Sequence, residues 1–252
     1  MATTVTHIVD PDSGTGYDYD SLADWEAGEQ GDLTGVRDEI SVAKCRCTGG
    51  TADTTVVDLD GWTTSATQYI KIWTDTAESY RHDGKWNSTK YRYVVANEFF
   101  YVRENYVRFD GIQFGISGTI TQDLKTFYFL GLGLGGNDIR ISNCILTGHS
   151  NASYAWTPGT HVNLILNMWN CLIYGFPVKV NYWNCDFTDE VWKIYSTLII
   201  ANSTMDFGIR REAGSLTMKN CYVSGETEGC YFGTITKTTC ASSDTTGSAG
   251  LQ

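Results

Sequence analysis

Residues 137–148 read NDIRISNCILTG, and the pair Asn143-Cys144 at their centre recurs three times, at Asn170-Cys171, Asn184-Cys185 and Asn220-Cys221. Each copy follows an apolar alternation: Ile139-Arg140-Ile141, Leu166-Asn167-Met168, Val180-Asn181-Tyr182 and Leu216-Thr217-Met218. Such alternation is the pattern of a strand with one buried face. Two residues then separate the last apolar position from the Cys, so the phase slips by one. A slip of one turns every later side chain to the opposite face unless the backbone bends. The word therefore predicts a corner at Asn and a second short strand that starts with Cys pointing inward. Asn suits the corner because its short polar side chain tolerates left-handed backbone.

Degenerate copies extend the series. Residues 107–114 carry Gly111-Ile112 in place of Asn-Cys, residues 192–199 carry Ser196-Thr197, and residues 40–47 carry Lys44-Cys45. The expected corner ladder is Asn143, Asn170, Asn184 and Asn220. The expected interior stack is Ile112, Cys144, Cys171, Cys185, Thr197 and Cys221. Steps along that stack are 32, 27, 14, 12 and 24 residues. The longer steps suit one coil of a solenoid with variable loops. The steps of 14 and 12 fit short coils, or adjacent sides of one coil, and both readings stay open.

Composition agrees with an all-β chain. Among 252 residues there are 3 Pro and 26 Gly, and Phe, Trp and Tyr make up 13%; aromatic and β-branched residues favour strands. Residues 1–60 hold thirteen Asp or Glu against three Lys or Arg, so nearly all of the net charge of -11 is there. An acidic surface repels phosphate backbones, which argues against nucleic acid as a partner. The opening MATTVTHIVDPD lacks a basic region followed by an apolar run, and no apolar stretch reaches 18 residues. Neither a signal peptide nor a membrane span is expected, so the protein is expected to be made in a reducing cytoplasm with free thiols.

The repeated word, over roughly residues 35–225, resembles the right-handed parallel β-helix of the pectate-lyase-like fold. Residues 14–26, GTGYDYDSLADWE, resemble the entry segment of many such proteins, which leads into a short helix over the open end of the first coil. Local chemistry fits a cap there: Ser21 as N-cap, Asp24 in the capping-box position, Gly28 as helix stop, and Leu22 and Trp25 on one face to plug the core. The expected organisation is an acidic segment with a capping helix over residues 1–34, a β-helix over 35–237 and a polar tail over 238–252.

Most characterised β-helix enzymes act on polysaccharides, and the resemblance directs attention to their motifs. The Asp-Asp, Asn-Thr-Asp, Gly-His-Gly and Arg-Ile-Lys motifs of the pectin-cleaving hydrolases are missing from this sequence. The densest charged group is Asp206, Arg210, Arg211 and Glu212, a runner-up catalytic cluster or an exposed turn. Cys45 and Cys47 share a strand face, but no second pair or His accompanies them, and Asp10-Pro11-Asp12 and Asp18-Tyr19-Asp20 lack the spacing of a calcium loop. No metal and no cofactor are expected. Aromatic residues crowd positions 60–106, where they fit a side-sheet core, a subunit interface or a platform for sugars.

Bacteriophage particles contain β-helices that resemble this one. That resemblance implies a non-enzymatic virion structural protein, most simply a capsid-decorating one, assembled in the host cytoplasm beside other virion proteins and favouring a homotrimer. The alternative it implies is a tail spike or fibre module that binds or cleaves host-surface polysaccharide, as a lyase or glycoside hydrolase if it is an enzyme.

Overall fold

In the computed structural model the residues described are 1–96, 100–117, 124–130, 137–148, 153–158, 164–176, 190–200, 208–210, 214–224 and 229–244. They form a parallel β-helix. Its broad sheet stacks nine strands in chain order: Thr3–Val9, Glu39–Cys45, Ile70–Trp73, Val107–Asp110, Asn137–Ser142, Leu164–Trp169, Val191–Tyr195, Ser215–Lys219 and Thr236–Thr238. A second sheet stacks Arg92–Val95, Gln113–Ile116, Ile145–Thr147, Leu172–Tyr174, Leu198–Ile200, Tyr222–Ser224 and Ala241–Ser242. A third holds Asp58–Leu59, Phe100–Val102, Leu124–Phe129 and Ser153–Pro158, and a two-stranded ladder pairs Ile209–Arg210 with Tyr231–Phe232. Every pairing between these strands is parallel, so each coil is held by its neighbours in the stack.

Alternation puts one face of each strand in the interior. On the broad sheet Ile72, Phe109, Ile141, Met168, Ile194 and Met218 are buried and stack in register from coil to coil. Where the three sheets meet, Phe109, Phe114, Phe100 and Phe127 pack edge-on or tilted, with the Phe114 and Phe127 rings 4.6 Å apart. Aromatic pairs of this kind add roughly 0.5–1.5 kcal/mol each beyond their buried area. Much of the aromatic crowd at residues 60–106 is this core: Trp62, Tyr91, Tyr93 and Phe100 are all buried.

The first coil is closed by α1, Leu22–Glu29. The Ser21 hydroxyl accepts from the Asp24 amide at 3.0 Å, and the buried carboxylate of Asp53 accepts from the Leu22 amide at 2.7 Å. Two orphan amides of the first turn are thereby satisfied. Leu22 and Trp25 are fully buried, and the Trp25 ring lies 5.4 Å from that of Trp62. Gly28 does not stop the helix, which runs on to Glu29 and is capped at Gln30. It leaves room for Tyr19 instead: a Cβ there would come within 2.8 Å of the phenol oxygen, which donates to Glu29 at 2.6 Å.

The solenoid is longer than the repeated word suggests. Thr3–Val9 pairs along its whole length with Glu39–Cys45, so the broad sheet begins inside the acidic segment rather than at residue 35. At the other end Ala241–Ser242 pairs with Tyr222–Ser224 and Cys240 is fully buried, so residues 238–242 form part of a coil rather than a tail. The degenerate copy at residues 40–47 is one residue out of register. Ser41 and Ala43 pair with Ile70 and Ile72 and point inward, and the chain runs straight through Lys44 to an Arg46–Val9 backbone bond without a corner.

Candidate functional site

Left-handed corners recur along the described coils after Trp73. Asn143, Asn170, Ser196, Asn220 and Thr239 all have φ between 47° and 54°, and Gly111 has φ of 77°. Gly is needed at 111 for a second reason: a Cβ there would fall 2.5 Å from the Arg81 guanidinium carbon. Side chains link the corners along the axis. Arg81 donates to Asp110 at 2.8 Å, Asn143 to Asp110 at 2.7 Å, Asn170 to Asn143 at 2.7 Å, and Thr239 to Asn220.

One residue past each corner lies the interior stack. Ile112, Cys144, Cys171, Thr197, Cys221 and Cys240 are each at most 4% exposed. All but Ile112 donate to the carbonyl two residues back: Cys144 to Ser142 at 3.1 Å, Cys171 to Trp169 at 3.3 Å, Thr197 to Tyr195 at 2.9 Å, Cys221 to Lys219 at 3.3 Å and Cys240 to Thr238 at 3.5 Å. Cys and Thr are interchangeable here because each is small and carries one donor. Burial pushes the Cys171 thiol up to about 12 and the Cys144 thiol well above its ordinary value, which makes both poor nucleophiles.

Leu164–Trp169 pairs directly with Val191–Tyr195, and Leu172–Tyr174 directly with Leu198–Ile200. Cys171 and Thr197 are therefore one coil apart, and the puzzling steps of 14 and 12 together make that single coil of 26 residues. Asn184 and Cys185 lie outside the described residues. So do Asp206, Arg211 and Glu212 of the charged cluster, whereas Arg210 contributes backbone to the ladder with Tyr231–Phe232.

The chemistry that the sequence does not announce is on the outer face of the broad sheet. Strand register aligns Lys71, Arg108, Arg140, Asn167 and Lys193 in one row across five consecutive coils. The adjacent row runs Trp73, Asp110, Ser142, Trp169, Tyr195 and Lys219. Neighbouring strands are about 4.8 Å apart, so the cationic row extends roughly 19 Å. The two rows carry five Lys or Arg against one Asp, with Asp138 beside them, on a protein of net charge -11. Two contiguous depressions of about 220 and 230 Å³ lie along this strip and share Arg140 and Trp169; Tyr69 and Lys71 line one end and Tyr195 the other.

The strip is pre-ordered by its own contacts. Asp138 is engaged by Arg140 at 2.6 Å, Arg108 at 3.3 Å and the Asn167 amide at 3.0 Å. Burial works to raise its carboxyl, but the Arg140 hydrogen bonds and the two guanidinium charges outweigh it and hold the group below the usual carboxylate range. The Arg108 guanidinium lies 4.6 Å from the Tyr69 ring centre and the Lys71 ammonium 4.0 Å from that of Trp73. Burial lowers the Lys71 pKa, so this cation is short of hydration and gains from an incoming anion. Among the described residues neither Lys71 nor Lys193 has an acidic partner within 4.0 Å. Cations with open coordination beside flat aromatic faces suit a ligand with carboxylates or sulfates on stackable rings.

A larger groove of about 460 Å³ follows the corner ladder between residues 81–84 and Leu172 and Leu198. Its floor is the Asn143–Asn170 ladder, whose amides bond to one another and to Asp110. The paired acids near the amino terminus serve loops. Asp10 binds Arg46 and Thr48, and Asp12 binds the amides of Gly49 and Thr51. Among the described residues no group of three His, Cys, Asp or Glu is placed to hold a metal, and no helix is long and apolar enough to cross a membrane. Comparison with protein-family models, curated proteins and solved structures returns no significant match.

Proposed function

We propose that this protein is a non-enzymatic structural β-helix of a bacteriophage particle, a fibre or spike module whose broad sheet binds an acidic host-surface glycan. The observation that carries the binding part is the alignment of Lys71, Arg108, Arg140 and Lys193 beside Trp73, Trp169 and Tyr195 on one outer face. A rigid stacked sheet keeps these groups at fixed spacing, so little ordering entropy is lost on binding. The virion setting rests on the resemblance to phage β-helices. Affinity electrophoresis through gels containing acidic or neutral polysaccharide tests the reading. Retardation by the acidic polymer alone, relieved by salt, is the expected result; equal mobility in every gel overturns it.

A second reading, a capsid-decorating protein bound to other virion proteins or to copies of itself, is favoured by another observation. Leu198, Ile200 and Tyr222 stand exposed on adjacent strands of the second sheet. Clustered exposed apolar residues suit a protein interface. Light scattering on the purified chain tests it, with a trimer as the expected species and a monomer at all concentrations as the contrary result.

A further inference from the structure

Cys221 and Cys240 are the last two rungs of the interior stack among the described residues. Their flanking residues pair in register, Lys219 with Thr238 and Tyr222 with Ala241, and the Ala241 amide donates to the Cys221 carbonyl at 2.9 Å. The two residues are therefore direct neighbours on successive coils, one strand spacing of about 4.8 Å apart, inside the Cα range that a disulfide spans. Both follow a left-handed corner, Asn220 at φ 54° and Thr239 at φ 51°, so their Cβ vectors run the same way. Each thiol is close enough to influence the ionisation of the other.

We propose that Cys221 and Cys240 form a redox modification site, a dithiol that small-molecule disulfides convert into a bond between the coils of residues 215–224 and 236–242. The Cys240 sulfur attacks one sulfur of the oxidant. The oxidant's S–S bond breaks, one thiolate leaves, and a mixed disulfide remains on Cys240. Cys221 gives its proton to solvent and attacks the Cys240 sulfur; the protein S–S bond forms and the second thiolate leaves. Two electrons and two protons pass from the protein to the oxidant, which becomes two thiols. Cys240 is the better first nucleophile, because the neighbouring Cys221 thiol and the charge of Lys237 favour its thiolate.

The location separates this pair from Cys144 and Cys171, which are also on neighbouring coils. Those two lie between further coils on both sides, with Ile112 before and Thr197 after them, so bringing them together disturbs the packing of both flanking coils. Among the described residues no strand of the broad or second sheet stacks beyond Thr236–Thr238 or Ala241–Ser242. Among the described coils, closure of this pair displaces only the rung that carries Cys240, and an oxidant reaches it through local opening of that rung. Cys230 is the local competitor: it is buried nearby, with its sulfur 3.2 Å from the Ser243 hydroxyl.

The test treats the reduced full chain with oxidised glutathione, quenches with acid, alkylates, and maps peptides after digestion with trypsin and a Glu-specific protease. Lys219, Lys237, Glu226 and Glu228 provide cleavage points that separate Cys221, Cys230 and Cys240. The expected result is a Cys221–Cys240 cross-link, a loss of two alkylatable thiols per chain, and slower amide exchange over residues 236–242. Cys221→Ser, which keeps a donor as Thr197 does, is expected to leave a mixed disulfide on Cys240. All thiols remaining alkylatable, a cross-link through Cys230 instead, or unchanged amide exchange in the oxidised protein overturns the proposal.

Discussion

The side-chain amide of Asn170 donates to the Asn143 side-chain oxygen at 2.7 Å, one coil away. Both residues hold left-handed backbone, at φ 53° and 52°. The bond and the corner are separable. Asn170→Gly removes the bond and keeps the backbone freedom, whereas Asn170→Ala also meets the cost of left-handed geometry, roughly 1–2 kcal/mol. Urea unfolding is expected to rank wild type above Gly and Gly above Ala, the last two differing by about 1 kcal/mol. Equal stability of the two variants contradicts the corner assignment.

The interior stack is expected to accept Thr and to reject bulk. Thr197 already occupies this column with the same donor geometry as its Cys neighbours. Cys171→Thr is expected to change stability by less than about 1 kcal/mol, while Cys171→Leu overpacks the coil and costs about 1–3 kcal/mol. Chemical denaturation of the two variants checks the order.

The amino-terminal cap is expected to strengthen as pH falls from neutral. Burial pushes the Glu104 carboxyl up to about 7 and that of Asp53 to about 6, and the nearby charges of Asp60 and Glu26 add to the rise at Glu104. Between the unfolded value near 4 and these folded values the native state binds more protons than the unfolded one. For these groups stability is therefore fully present at low pH and is lost as pH rises through about 6 to 7. Glu104→Gln, which retains the acceptor for the Trp62 amide, is expected to unfold at higher temperature than wild type at pH 8 and to match it at pH 5. A constant difference at both pH values contradicts the assignment to Glu104.

What could be read from the sequence follows from what is local. The corner at Asn143 is local: an apolar alternation, a residue that tolerates left-handed backbone and an inward Cys all lie within eight residues. The wrong register at residues 40–47 has an equally local cause. Ser41 and Ala43 face inward there, and neither is apolar enough to outweigh Ile40 and Val42 in a pattern. The cationic strip is not local. Its members are 37, 32, 27 and 26 residues apart in the chain, and only coil register brings them into a row. The charge balance hid it as well, because residues 61–252 sum to nearly zero while five of their fifteen cations line one face.

Glycan binding by the broad-sheet strip is tested at Lys193 and Trp169 with little risk to the fold, since both face outward. Isothermal titration of a size-defined uronic-acid oligosaccharide is the most direct measurement, with a neutral oligosaccharide of the same length as control. The expected result is binding of the acidic ligand alone, weakened by salt, and weakened at least about tenfold, or about 1.4 kcal/mol, by Lys193→Glu and by Trp169→Ala. Equal binding of the neutral ligand, or acidic-ligand binding unchanged in both variants, contradicts it.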